Sequence, residues 1–220
     1  MITVQIASLP ERADSLGRTV KSLIDQTDMM FVALNGYKEA PLFLQNNRKI
    51  FYSLMDNALG DGAKFYGADE RSGYVLTCDD DLVYPQGYVS YMVDGLERHG
   101  GIVSLLGKRY DARPIQSYRT GYTSIYREMN TVKADKVVHV GGTGVMAFCP
   151  ATFKINADDF PVANMADLWA AKAAHEQGLK ITVMAHPYGY LVRTVFPNRI
   201  WLTAASQDEY QTKVINDFLS

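Results

Sequence analysis

Five short apolar runs recur along the first half of the chain, each followed by a turn and most by a stretch of helical period. Ile2–Ala7, Met30–Leu34, Ile50–Leu54, Tyr74–Cys78 and Ile102–Leu106 are strand-length and almost unbroken by polar residues. Such runs belong to strands covered on both faces, which is the habit of parallel sheets. Between them, Glu11–Gln26 carries Leu16, Val20, Leu23 and Ile24 on one helical face. After Pro85, Val89, Met92, Val93 and Leu96 recur at helical spacing. Gly60–Glu70 is a further, Gly-rich candidate helix. This alternation predicts an α/β fold, a single domain with a mostly parallel central sheet flanked by helices.

The second half is less regular. Val137–Phe148 is strand-like around Gly141-Gly142-Thr143-Gly144, Met165–Gln177 is an Ala-rich helix stopped by Gly178, and Lys180–Ala185 is a strand. Ser206 and Glu209 form a capping box for a last helix ending near Leu219. Residues 1–220 thus form one domain, with a 1–107 half, a polar Tyr-rich segment 108–136 and a 137–220 half.

Composition excludes some classes. A net charge of −2 over 220 residues gives no general attraction to nucleic acid or anionic membrane. No apolar run reaches the length of a membrane span, and the N-terminus has no basic segment or cleavage site, so it is expected to be a first strand and not a signal peptide. Two cysteines, Cys78 and Cys149, imply no disulfide framework, and a reducing, cytoplasmic location is expected.

The stretch "YVLTCDDDLVYPQG" ends a buried run in three aspartates, Asp79, Asp80 and Asp81. Like charges that close raise one another's pKa, so the cluster is either a solvated acidic turn or holds a cation. In open parallel sheets ligands sit beyond the carboxyl ends of the strands, where Ser8, Asn35 and the aspartates fall. A hard divalent ion, Mg²⁺ or Mn²⁺, suits one or two such carboxylates completed by phosphate oxygens and water. Neither a Walker A loop nor a Rossmann glycine fingerprint nor an EF-hand spacing is present.

Four segments in order, "ITVQIASLPERADSLGRTVKSLIDQT", "VLTCDDDLVYPQGYVSYMVDGL", "VGGTGVMAFCPATF" and "NMADLWAAKAAHEQGLKITVMAHPYGYL", resemble the family 2 glycosyltransferases of the GT-A fold, in particular short bacterial and phage members. The resemblance implies a nucleotide-sugar donor, with uridine diphosphate as carrier, and a metal-dependent, inverting transfer to an acceptor hydroxyl. It implies that Asp81 ligates the metal, that Asp79 helps hold metal or ribose, and that Asp80 contacts the nucleotide. Ser8, Arg12, Asn35 and Lys64 fall at nucleotide-contacting positions, although the family often has an acid where Asn35 stands. Asp167 matches the general base, but Ala166 replaces the acid that usually precedes it. The other reading of Asp167 is a carboxylate stabilised by the start of its helix. His186 is either a late metal ligand or a structural residue, and as a ligand it would favour Mn²⁺.

Gly144, Trp169, Arg119 and Tyr122 are the candidate acceptor contacts. Trp169 stacks on a sugar or belongs to the core. Segment 108–136 carries seven Lys or Arg against three acids, so it is +4 while the rest of the chain is −6. With Tyr110, Tyr118, Tyr122 and Tyr126 interleaved, it suits an anionic acceptor, or it is a solvated flap over packed tyrosines. Two acceptors follow, a bacterial surface glycan or a hydroxylated base in DNA, the latter as in phage genome modification. The alternatives are a nucleotidyltransferase, whose Gly-rich signature "SLPERAD" lacks, and a non-catalytic nucleotide-binding module. Oligomeric state is not legible.

Overall fold

A computed structural model describes residues 1–195 and 207–219. The strands in chain order are β1 (Ile2–Ser8), β2 (Met29–Asn35), β3 (Ile50–Met55), β4 (Tyr74–Asp79), β5 (Leu82–Val83), β6 (Ile102–Ser104) and β7 (Gly107–Arg109). Then come β8 (Ser124–Tyr126), β9 (Lys136–Val138), β10 (Val140–Gly141), β11 (Val145–Phe148), β12 (Ile181–Val183) and β13 (Val192–Arg193). The helices are α1 (Ala13–Leu23), α2 (Leu42–Gln45), α3 (Tyr88–His99), α4 (Ala166–Glu176) and α5 (Asp208–Leu219).

Eight strands form one sheet in the order β3-β2-β1-β4-β11-β6-β12-β9. β1 to β4, β6 and β12 share one direction, while β11 and the edge strand β9 run against their neighbours. The sheet is therefore mostly parallel, as the alternation of apolar runs predicts.

Period-2 alternation sorts side chains onto two faces. Leu76, Cys78, Val103, Val145 and Ala147 pack with Leu16, Val20 and Leu23 of α1 and Met92 and Leu96 of α3. Val75, Ile102, Met146, Phe148 and Ile181 pack on the other face with α4 and with Val214, Ile215 and Phe218 of α5. α1 and α3 bury one apolar stripe each, as their spacing predicts. Gly87 and Gly100, at φ +85° and +64°, bound α3 in left-handed turns that a side chain would strain.

Two local expectations are corrected. Gly60–Glu70 is not a helix but two 3-10 turns, Gly60–Phe65 and Ala68–Glu70, because its glycines favour tight turns. Val137–Phe148 is broken into β9, β10 and β11 by the glycine run; β10 leaves the main sheet to pair with β7. The Ser206 half of the capping box lies outside the described residues. Cys78 and Cys149 are free thiols. No helix among the described residues is long and apolar enough to cross a membrane.

Candidate active site

Parallel register carries the ends of β1, β2, β3 and β4 to one edge. Ala7 lies opposite Asp79, Ser8 opposite Leu34, and Asn35 opposite Met55. On β4, alternation puts Asp79 on the face of Val75 and Thr77, beneath the Gly60–Phe65 turn. There it forms an ion pair with Lys64. The Lys64 side chain keeps 5% of its surface, and that of Asp79 keeps 37%, so the carboxylate faces open space with the ammonium behind it. Burial pushes Asp79 up, but Lys64, with Arg193 and Arg12 beyond it, outweighs that and holds the carboxyl below its usual range. Burial alone would lower Lys64; Asp79 and Asp61 instead hold it above the usual lysine range.

Asp80 points the other way and is buried, paired with Arg12 at 3.0 Å. Burial raises it against the pull of Arg12. Asp81 sits below the small β5–β13 ladder, its carbonyl accepting the Thr194 N–H at 2.7 Å. Burial and then Asp79 push the Asp81 carboxyl up to about 6. Arg193, on β13, opposes that rise and is itself anchored on Glu128 at 2.8 Å.

One loop joins this acidic cluster to Asp167. Thr143 donates its backbone N–H (2.8 Å) and its hydroxyl (2.7 Å) to one Asp167 oxygen. The next residue, Gly144, abuts the Asp79 carboxylate so closely that a Cβ would overlap it. Its carbonyl accepts the Tyr84 hydroxyl at 2.6 Å, and Tyr84 in turn receives the Asp79 N–H at 2.8 Å. Asp167 opens α4, and Asp61 receives the neighbouring Ala166 N–H at 3.3 Å. Burial, with Asp167 and Asp79 adding to it and Lys64 opposing, pushes Asp61 up to about 7. Gly144→Ala would force Asp79 aside at about 1–3 kcal/mol for a packed site. A loss of stability of that size is expected, read by urea unfolding with the far-ultraviolet spectrum unchanged.

The predicted residues thus divide. Ser8, Arg12, Asn35, Lys64, Asp79, Asp80, Asp81, Gly144 and Asp167 come together. Arg12 and Lys64 commit their charge to aspartates, and Asn35 donates to the Gly60 carbonyl at 2.8 Å while its amide oxygen stays buried without a partner among the described residues. Ser8 lies 3.3 Å from the Tyr37 hydroxyl.

His186 and Trp169 are corrected. The His186 ring nitrogens lie 2.7 Å from the Met184 carbonyl and 3.2 Å from the Arg127 carbonyl, so both face main chain and not a second ligand group. Trp169 is core: its indole N–H donates to Val162 at 2.7 Å and its ring meets Tyr210 edge-on. Its period on an apolar, Ala-rich helix puts it there.

Half of the tyrosine set is core as well. Tyr110 and Tyr118 are buried, while Tyr122 and Tyr126 are half-buried against the same cluster. Arg119 and Tyr122 stay on the side of Lys108, which lies within electrostatic reach of Asp167. Sequence reading missed Asp61, Tyr84, Thr143 and Arg193. Only Thr143, inside the glycine run, carried a usable signal.

A divalent cation fits this donor set. One Asp81 oxygen is buried without a partner among the described residues, and Asp79 keeps an open side. Among the described residues no group of three or more His, Cys, Asp or Glu is placed to hold a metal. An ion here would take two carboxylates and complete its shell from water and ligand, a set that suits Mg²⁺ and Mn²⁺ alike.

No family model and no curated protein matches the chain. Solved structures of the same fold do. The 2-C-methyl-D-erythritol 4-phosphate cytidylyltransferase of Thermus thermophilus superposes with a TM-score of 0.53 at 12% identity, over 94% of this chain and 97% of that one. The 4-diphosphocytidyl-2C-methyl-D-erythritol synthase of Anaerococcus prevotii gives 0.55 at 12%, over the same shares, 94% and 97%. The galactosyltransferase LgtC, crystallised with donor and acceptor sugar analogues, gives 0.50 at 12%, over 100% and 97%. The α/β architecture is thus one shared by a glycosyltransferase and by cytidylyltransferases.

Proposed function

We propose that this chain is a metal-dependent inverting glycosyltransferase using a nucleoside-diphosphate sugar, with uridine diphosphate as the carrier. The observation that carries the reading is the adjacency of Thr143, bonded to Asp167, and Gly144, packed on the Asp79 carboxylate, which supports a single site with a cation-holding carboxylate and a separate, oriented one. The fold shared with a galactosyltransferase supports it.

Asp79 and Asp81 would hold Mg²⁺ or Mn²⁺, which supplies Lewis-acid neutralisation of the departing diphosphate. Arg193, held by Glu128, adds a fixed positive charge on the same side. Asn35 and Ser8, buried at the ends of β2 and β1, would shape the floor of the nucleoside site rather than contact the nucleoside. Asp167 has one oxygen fixed by Thr143; its other oxygen has no partner among the described residues and takes the proton of the acceptor hydroxyl. The acceptor oxygen bonds the anomeric carbon as the bond to the diphosphate oxygen breaks, and attack from the opposite face inverts the centre.

The test is thermal stability against a panel of nucleoside diphosphates with and without Mn²⁺. A ligand at a hundred times its dissociation constant stabilises by about 2.7 kcal/mol. A Mn²⁺-dependent shift with uridine diphosphate, lost in Asp81→Ala, is the expected result. No shift with any nucleotide removes the reading.

The cytidylyltransferase neighbours favour a second reading, nucleotidyl transfer. It differs in its products: pyrophosphate leaves a nucleoside triphosphate, whereas glycosyl transfer releases a nucleoside diphosphate. A proton-accepting carboxylate near the acceptor serves a hydroxyl nucleophile and has no task with a phosphate nucleophile already ionised, which is why Asp167 favours the first.

A further inference from the structure

The cations of segment 108–136 have separate fates. Arg109 pairs with Asp111 at 2.7 Å, and Arg113 donates to the Tyr110 and Leu219 carbonyls at 2.6 and 3.0 Å. Lys133 is exposed, and Lys136 lies on the sheet edge in β9. Lys108, Arg119 and Arg127 are not diverted in this way. Both arginines lie within electrostatic reach of the Lys108 ammonium, as do the carboxylates of Asp167 and Asp208. None of the three forms an ion pair among the described residues.

The cluster is built, not splayed into solvent. Lys108 runs over the Tyr118 ring, its ammonium 4.1 Å from the centroid and 3.5 Å from the Tyr118 carbonyl, with Tyr122 at 5.9 Å. Burial holds that ammonium below the usual lysine range against the pull of Asp167. The Arg119 backbone is fixed by its N–H to Asp208 at 3.0 Å, and one terminal guanidinium nitrogen is shut off from solvent with no acceptor among the described residues.

The nearby acids are already engaged. Asp208 accepts the Ser117 hydroxyl and the Arg119 N–H, and Asp167 gives an oxygen to Thr143. Clustered like charges and a buried donor without an acceptor both cost stability. One tetrahedral anion relieves both, and an arginine fork with a lysine is a common phosphate grip.

We infer that Lys108 and Arg119, which flank Tyr118, form a subsite for a single phosphate group carried by the acceptor. That the phosphate belongs to an acceptor rests on the proposed function; the anion site itself does not. With Arg109 and Arg113 diverted, the cations left beside Tyr118 are few, which favours one phosphate ester over an extended polynucleotide track.

Binding of inorganic phosphate is followed by phosphorus NMR at low salt with a chelator present, so that no metal-held diphosphate site contributes. The wild type is expected to bind, and Arg119→Gln and Lys108→Gln each to weaken binding at least tenfold, with Arg109→Gln unchanged. Melting temperatures guard against misfolding; if Lys108→Gln does not fold, Arg119→Gln decides. No binding, or equal binding in the folded variants, overturns the subsite. Octathymidylate is the second probe, because single-strand affinity falls with salt by about 0.7 log units per phosphate neutralised. A slope worth one phosphate supports the subsite, and a slope worth four or more replaces it with a strand-binding surface. Mn²⁺-dependent uridine diphosphate binding, measured on the same proteins, is expected to survive both substitutions. Its absence from the wild type would defeat the proposed function and leave the phosphate result standing.

Discussion

Asp167→Asn is expected to lower turnover by about 10²–10⁴-fold, the range for loss of a general base, with nucleotide affinity within about twofold of wild type. The substitution keeps the side-chain shape. An amide oxygen can still accept both Thr143 donors, at the places where they now lie 2.8 and 2.7 Å from Asp167. What disappears is the second carboxylate oxygen and its capacity to take a proton. The measurement is release of nucleoside diphosphate from the nucleotide sugar found in the binding panel. Asp167→Glu is the companion variant, since it restores a base and is expected to recover part of the rate. Unchanged turnover in the asparagine variant would make Asp167 a helix-start acid and nothing more.

Asp61→Asn is expected to stabilise the protein above neutral pH. Asp61 is pushed up to about 7 from the ordinary 3.8 of an aspartate. Between those values the unfolded chain has lost the proton and the folded chain keeps it, so the folded state binds more protons and stability falls as pH rises from about 4 to about 7. Above that window the folded state carries a poorly solvated carboxylate. Three pH units at about 1.4 kcal/mol each set a ceiling of roughly 4 kcal/mol. Asparagine does not titrate and still offers an oxygen to the Ala166 N–H. Urea unfolding at pH 5 and pH 8 checks this. The wild type should lose stability relative to the variant between the two, and parallel behaviour would show that Asp61 is solvated.

The fold was legible because burial on both faces leaves unbroken apolar runs, as in β1, β2 and β4; β3 is equally apolar but is an edge strand with Phe51, Tyr52 and Leu54 exposed. The direction of β11 was not. Val145–Phe148 has the same apolar character as a parallel strand, and only its return through the 108–138 excursion sets its sense. The acidic cluster was legible since three acids after a strand leave few alternatives. Arg193 was not, because it reaches Asp81 by way of the β5–β13 ladder, a pairing of two-residue strands with no pattern to detect. His186 and Trp169 show the opposite error. Each residue type is apt for a ligand, but their polar atoms go to main-chain carbonyls at 2.7 Å, which no local pattern records. Half of the tyrosines in segment 108–136 failed as an acceptor surface for the same reason that they fold well: they are large, and they fill the space beneath the segment.

The placement of β11 between β4 and β6 bears on how the chain acquires its structure. The β6 strand follows β4 in sequence, yet in the sheet order the two are separated by β11, which arrives more than forty residues later. Without the residues beyond 107, β4 lacks its partner on one side and β6 lacks both of its neighbours in the sheet. Closing the sheet waits for Phe148, and a pairing of such separation carries a loop-closure cost that slows folding relative to local contacts. The edge of β4 exposed in the meantime is the one that ends in Asp79. Asp79 and Asp80 pair with Lys64 and Arg12, which precede them in the chain, so Asp81 is the acid at that tip without an ion pair among the described residues, and a charge there is the kind of feature that discourages another strand from adding.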